Sequence, residues 1–449
     1  MLLMRILRYD QADFNSAVAQ ASAASSLFDA AIDERVRAII ADVQARGDTA
    51  LVEFTERFDK VKLTAEQFRI TGPTPVVAAD LKKAVALAHK NVADFARKSL
   101  RKDWSMRNAQ GASVGEKFAG FERVGIYIPG GTAPLVSTVL MTVTLAKVAG
   151  CKEIVVCTPP SGTGKGAAPA EPRGKRLGGS LALPFINPAL LYACRKAGAT
   201  EIYQLGGAQA IAALALGTGS VKQVQKIFGP GNAYVVAAKR LLFGHVAIDL
   251  LPGPSEVLIL ADDTANPAFI AADMLAQAEH GSGHERVWLV TTSERVLNAT
   301  QAEIDRQLPG CQRRKFIEDA LDHSGMYVLA KDLKQAVAIA NEFAPEHCEL
   351  MTKNNPALVK KIKTAGAIFI GPYSPTVTGD YVAGPSHTLP TGGAGRSFAG
   401  LTVDQFQRRT SIVELTPKAL AQSLPAIEKF AEVEGLDAHA KSARIRLDR

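Results

Sequence analysis

Apolar residues recur at two different spacings along the chain, and the change from one to the other divides it. Ile32, Val36, Ile39, Ile40 and Val43 fall on one stripe at helical spacing, with Gly47 placed to end the helix. A second stripe, Leu81, Val85, Ala88, Val92 and Phe95, predicts a helix from Ala79 to about Lys102. From about residue 118 short β-rich runs alternate with helical segments: 125–128, 153–157, 201–204, 226–228 and 247–249 are the runs. A further alternating series follows, with strands at 256–261, 286–291, 325–329 and 367–370 and helices at 267–280 and 333–343. Such alternation predicts an α/β chain with two mostly parallel sheets. After about Tyr373 the chain becomes loop-rich and then helical, and residues 161–180, rich in Gly, Pro, Ala, Lys and Arg, read as an exposed insertion. No internal repeat is apparent.

Composition narrows the class. The chain has 449 residues, 47% apolar and 21% charged, enough for more than one core. Its 52 basic and 44 acidic residues leave a net charge of +8. No long basic stripe with interleaved aromatics accompanies that excess, so it describes a solvated surface and nucleic acid is not an expected partner. The most apolar stretch, 134–150, is broken by Ser137, Thr138, Thr142, Thr144 and Lys147, so no membrane span is expected. The opening MLLMRILRYD is too short in apolar residues, and lacks the cleavage site, for a secretory signal. Five cysteines, at 151, 157, 194, 311 and 348, form no CxxC motif and suit reduced thiols in a cytoplasm.

Candidate chemistry is dispersed. Asn266-Pro267 starts a helix that runs past Asp273 to Gln277 and His280 before Gly281. Gln277 and His280, three apart, can reach one ion from one helix face, and the same spacing also suits a polar surface. Pro345 ends the preceding helix and leaves Glu346 and His347 on a connection, two groups that exchange protons near neutral pH. Residues 379–393 form a Gly- and Pro-rich loop that carries Asp380 and His387, fit either for a cleft or for a surface loop. Glu434 and His439 lie near the end of the chain. Three glycine turns, at 128–131, 205–209 and 228–232, follow strands as nucleotide-binding turns do, but none matches GxGxxG and no Walker lysine is present.

Taken together, these blocks resemble the histidinol dehydrogenase family. The likeness rests on VGIYIPGG (124–131), GGAQAIAALA (206–215), GPGNAY (229–234), GPSE (253–256), AQAEH (276–280), APEH (344–347), the 379–391 loop and EGL (434–436). It implies a zinc-dependent enzyme that takes L-histidinol through histidinal to L-histidine with two NAD. One Zn2+ per subunit would rest on Gln277, His280, Asp380 and His439, and Glu346 and His347 would be catalytic. Substrate contacts would be Ser255, His387 and Glu434, with His347 and the metal ligands; cofactor contacts would be Tyr127, Gln209 and Asn232. His347 is the better candidate for the base, and Glu346 for activating the water of the second step. Cys348, next to His347 on an extended segment, should point away from it.

The expected architecture is two Rossmann-like sheet domains with helical N-terminal segments and a C-terminal dimer-completing tail. Residues 23–126 plus 255–372 would carry the metal and the catalytic pair, 127–254 would bind NAD, and 1–22 plus 373–449 would form a small region with a tail swapped in a homodimer. The sequence departs from the family at the 161–180 insertion, at a shorter 239–249 segment, and at Pro252, Cys348 and Ser386, none of which removes a ligand or the base. The rival expectation is a relative acting on another amino- or sulfo-alcohol. Retention of His387 and Glu434 favours histidinol.

Overall fold

A computed structural model describes residues 4–23, 29–130, 134–160 and 186–448; the 161–180 insertion and Gly131 lie outside them. Six parallel strands form one sheet, in the order Arg5–Arg8, Gly325–Leu329, Arg286–Thr291, Glu256–Ala261, His347–Met351 and Ala367–Ile370. Within the strand Glu256–Ala261, Val257 and Ile259 join the core on one face, while Leu258 and Leu260 join the core on the other. Burial on both faces explains why this strand reads as an unbroken apolar run.

A second parallel sheet orders Glu201–Gln204, Glu153–Thr158, Arg123–Tyr127, Lys226–Phe228 and Ala247–Ile248. Ile154 and Val156 face one core, and Val155 and Cys157 the other. Strand order reverses between Arg123–Tyr127 and Lys226–Phe228, the switch point at which a crevice opens beyond the carboxyl ends. A third, antiparallel sheet joins Gln407–Glu414, Ser113–Gly120 and Trp104–Arg107, and leads to the helices Pro417–Glu434 and Asp437–Arg444. Among the described residues no helix is long and apolar enough to cross a membrane.

The expected grouping of segments is corrected in two places. Residues 23–126 do not go with 255–372: Val36, Ile39 and Val43 pack with Ile211 and Leu214 of the helix Gly207–Leu216, and Val85 and Val92 pack with Val139 and Val143, all over the five-stranded sheet. The strand Arg123–Tyr127 is itself the central strand of that sheet. Residues 1–22 do not go with the C-terminal region either, since Arg5–Arg8 is the edge strand beside Gly325–Leu329. An amphipathic stripe shows that a helix covers a sheet, but it carries no information about which sheet.

Candidate active site

Glu346 and His347 sit where the six-stranded sheet begins. The helix Leu333–Phe343 is stopped by Ala344, a non-glycine residue at φ 47°, and Pro345 follows. A left-handed alanine is strained, and such strain collects where geometry is functional. Glu346 accepts the Glu256 N–H at 2.8 Å and the Ser255 hydroxyl. His347 Nδ1 lies 2.9 Å from the Glu256 carbonyl oxygen, which can only accept, so Nδ1 carries the proton. Nε2 is then the basic nitrogen, 3.8 Å from Asp380. Burial pulls the imidazole below its ordinary value despite Asp380 nearby, so the ring is neutral at pH 7.

Burial also pushes Glu346 well above the usual carboxyl range, and the neighbouring Glu256 and Asp380 push it further. Glu256 itself is raised to about 7 by burial, although Gly392 N–H donates to it at 2.9 Å and Arg286 stands 3.7 Å away. Two residues beyond His347, on the same face of the strand, Glu349 adjoins Asp273 of the helix Pro267–Ala278. Burial raises Asp273 to about 6; burial and then Asp273 raise Glu349 well above its ordinary value, so the pair shares a proton. Glu256 and Asp273 are therefore able to take up or release protons near neutrality, beside Glu346 and Glu349, which burial holds above their ordinary range.

Asp380 is the hub of the remaining contacts. Its carboxylate lies 3.7 Å from His387 Nδ1 and 3.8 Å from His347 Nε2. Burial alone would lift it; His387, His347 and His280 together hold it below the ordinary aspartate value. His387 Nε2 reaches Thr138 Oγ1 at 3.2 Å, which ties this loop to the helix that follows the central strand of the five-stranded sheet. The metal-candidate helix ends at Ala278, two residues sooner than expected, yet Gln277 Nε2 still meets His280 Nδ1 at 3.4 Å. Gln277 and His280 thus adjoin, and His280 is near enough to Asp380 for its charge to be felt there. Among the described residues no three His, Cys, Asp or Glu side chains close on one point, and Glu434 and His439, on the exposed C-terminal helices, make no side-chain contact with this cluster.

The expected cofactor residues gather at the carboxyl edge of the five-stranded sheet. Tyr127 ends the central strand; its hydroxyl accepts the Gly207 N–H at 3.1 Å, and burial pushes the phenol upward. Gln209, on the helix begun by Gly207, is buried with neither its amide oxygen nor its nitrogen hydrogen-bonded. Asn232 caps the helix Ala233–Leu241 by accepting from Tyr234 N–H and Val235 N–H. Gly229, at φ 106°, passes so close to the strand that a Cβ there would stand 2.1 Å from the Tyr127 carbonyl oxygen. Cys348 is buried on the face opposite His347, among Leu258 and Leu350, and burial pushes its thiol up to about 12, which fits the expectation that it points away.

Glu256, Glu349, Asp273 and Thr138 were not assigned roles from sequence. Strand alternation from His347 would have singled out Glu349, and the i, i+4 relation to Gln277 would have singled out Asp273. Thr138 and Glu256 carry no local signal of that kind.

An acid–base centre set against a glycine-turned parallel-sheet edge is the equipment of an α/β oxidoreductase. Comparison with known proteins makes this specific. A family model described as Histidinol dehydrogenase matches residues 23–170 and 181–447. A histidinol dehydrogenase of a Synechococcus strain is 43% identical over 92% of this chain and 91% of its own length. That of Heliobacterium mobile is 40% identical over 100% of both chains. The crystal structure of histidinol dehydrogenase from Elizabethkingia anophelis superposes with a TM-score of 0.90 at 35% identity, covering 100% of this chain and 98% of that one. The chain belongs to the histidinol dehydrogenase family, and it is an NAD-dependent oxidoreductase.

Proposed function

We propose that the enzyme oxidises L-histidinol to L-histidine through histidinal and reduces two NAD in doing so. The observation that carries this reading is His347: a neutral imidazole whose Nδ1 proton is committed to Glu256 and whose Nε2 faces Asp380. In the first half-reaction Nε2 takes the hydroxyl proton while hydride leaves the same carbon for NAD. In the second, water adds to the aldehyde; Glu346, in its ionised form, accepts a proton from that water, burial having made its carboxylate more basic, and a second hydride passes to a second NAD. Gln209 supports the cofactor reading, since its buried amide lacks partners that a bound dinucleotide can supply.

The oxygen and nitrogen donors Gln277, His280, Asp380 and His439 suit Zn2+, which would orient the substrate's amine and imidazole as a Lewis acid. The contact of Gln277 with His280 and the influence of His280 on Asp380 support this set; His439 would come from the tail of a second copy, together with Glu434 to offset the substrate's positive charge. The exposed tail supports a homodimer with shared sites: Phe430 is 67% and Val433 74% solvent-exposed on the helix Pro417–Glu434. Ser255 and His387 would complete the substrate pocket. Unpaired thiols at all five cysteines accord with a cytoplasmic location.

The test is stoichiometry and metal dependence. Two NADH should form per histidinol, with activity lost to a strong chelator and restored by zinc. One NADH per substrate, or turnover of another amino-alcohol with none of histidinol, refutes the reading.

A further inference from the structure

Lys239 and Asp249 form an ion pair in which both side chains are fully buried. Apolar side chains of similar size usually serve stability as well as a buried pair does, so its bonds need another explanation. All of them go to two segments of backbone. Lys239 Nζ donates to the Gly229 carbonyl and to the Leu250 carbonyl, each at 2.9 Å, as well as to Asp249 Oδ1. Asp249 Oδ2 accepts the Gly229 N–H at 2.7 Å. Both backbone groups of Gly229 are thereby held by one charged pair, at the head of the turn that presents Asn232.

The second segment is the connection from the five-stranded to the six-stranded sheet. It leaves Leu250, donates from Gly253 N–H to Thr391 Oγ1, and ends at Ser255, whose hydroxyl bonds Glu346. The pair therefore links the turn on the cofactor side to the segment that holds the acid–base centre.

We propose that the Lys239–Asp249 pair is a positioning element that fixes the cofactor turn relative to the acid–base centre; this rests on the cofactor site assigned under the proposed function. Hydride transfer is sensitive to placement, and a shift of about 1 Å can cost about a hundredfold in rate. Lys239→Met/Asp249→Asn removes the shared donor without leaving an unpaired buried charge, while Asn retains an acceptor for the Gly229 N–H. We expect KM and Kd for NAD to rise about tenfold and kcat to fall by a similar factor, with the Kd for histidinol, measured calorimetrically on zinc-loaded enzyme without NAD, unchanged. Lys239→Gln/Asp249→Asn, a neutral pair that keeps a shorter donor beside the acceptor, is the milder change; it should raise the NAD constants severalfold and carries the test if the first variant does not fold. A folded variant that binds NAD as the wild type does, or loses histidinol affinity in parallel, overturns the proposal. Wild-type enzyme that binds no NAD would sink it together with the function it rests on, whereas wild-type binding matched by the variants would sink it alone.

Discussion

Replacing His347 by asparagine separates the two jobs of its ring. The Asn amide nitrogen can occupy the place of Nδ1 and still donate to the Glu256 carbonyl, which His347 now meets at 2.9 Å. What vanishes is Nε2, the basic nitrogen that faces Asp380 at 3.8 Å. With one hydrogen bond kept and a small void left, the stability cost should be about 1–2 kcal/mol. Loss of a positioned general base should lower kcat by about 10²–10⁴-fold, equivalent to ~2.7–5.5 kcal/mol of barrier. The pH profile supplies a second readout. Burial lowers the His347 pKa from 6.5, so the acid limb of wild-type kcat/KM should centre below that value and vanish in the variant. Steady-state kinetics from pH 5 to 9, with thermal unfolding of the same samples, decides it. A variant that keeps more than about a tenth of wild-type kcat, or retains the acid limb, would refute the assignment of His347 as base.

Other consequences can be checked independently. Glu256 has a folded-state pKa of about 7 against 4.5 in the unfolded chain, so its contribution is fully present below pH 4.5 and is lost as pH rises to about 7, a decline of about 3 kcal/mol. Glu256→Gln should flatten that part of the stability–pH curve and raise the melting temperature at pH 8; an unchanged curve contradicts the protonation state assigned to it. Gln209→Leu should stabilise the fold by about 1–2 kcal/mol by removing two orphaned polar atoms, while raising KM for NAD; denaturant melts and kinetics test both. Cys348→Ala should leave kcat within about twofold, because the thiol faces the core, and a large loss would revive a covalent role for it. Chains carrying His347→Asn mixed with chains carrying His439→Ala should regain part of the activity if tails serve the neighbouring subunit; no recovery would place each tail in its own chain's site.

Legibility in the sequence followed burial. The strands Glu256–Ala261, Arg286–Thr291 and Gly325–Leu329 were readable residue by residue, because the strands at the centre of a covered sheet are apolar runs, and Ala367–Ile370 was readable at the sheet edge because all four of its residues are apolar. Arg5–Arg8 was not, since half of its four residues are arginine and it lies at the sheet edge. Nor were Trp104–Arg107 and Gln407–Glu414, whose side chains are largely exposed, or Ser113–Gly120 between them, which is mostly half-buried; none leaves a one-sided apolar pattern. At the site, Glu346, His347, Asp380 and His387 were found as chemistry in loops, and the fold brings them within contact distance of their neighbours. Glu256 was overlooked because its importance lies in its backbone: its carbonyl orients His347 and its N–H holds Glu346. A periodicity argument sees side chains and is blind to such roles.

The two sheets present opposite ends to the site, and the polarity of an α/β unit gives that arrangement an electrostatic meaning. On the six-stranded side the strands begin there, and the helix Pro267–Ala278 ends there with Gln277 in its last turn, so backbone carbonyls and the negative end of the helix dipole face inward. On the five-stranded side the strands end, and the helices Gly207–Leu216 and Ala233–Leu241 begin, turning N–H groups and positive dipole ends to the same crevice. Under the proposed reaction the cations, a divalent metal and an amine-bearing substrate, belong on the first side, and the anionic pyrophosphate of the cofactor on the second. Each ligand then meets a field of opposite sign before any side chain is counted. This also explains why the acid–base centre departs from the usual preference for carboxyl ends: a carboxyl edge would have set helix N-termini against the metal. The acidic residues Asp273, Glu349, Glu346, Glu256 and Asp380 extend the negative character of that side, and their raised pKa values, Asp380 excepted, are what such crowding and burial impose until a cation is present to share the charge.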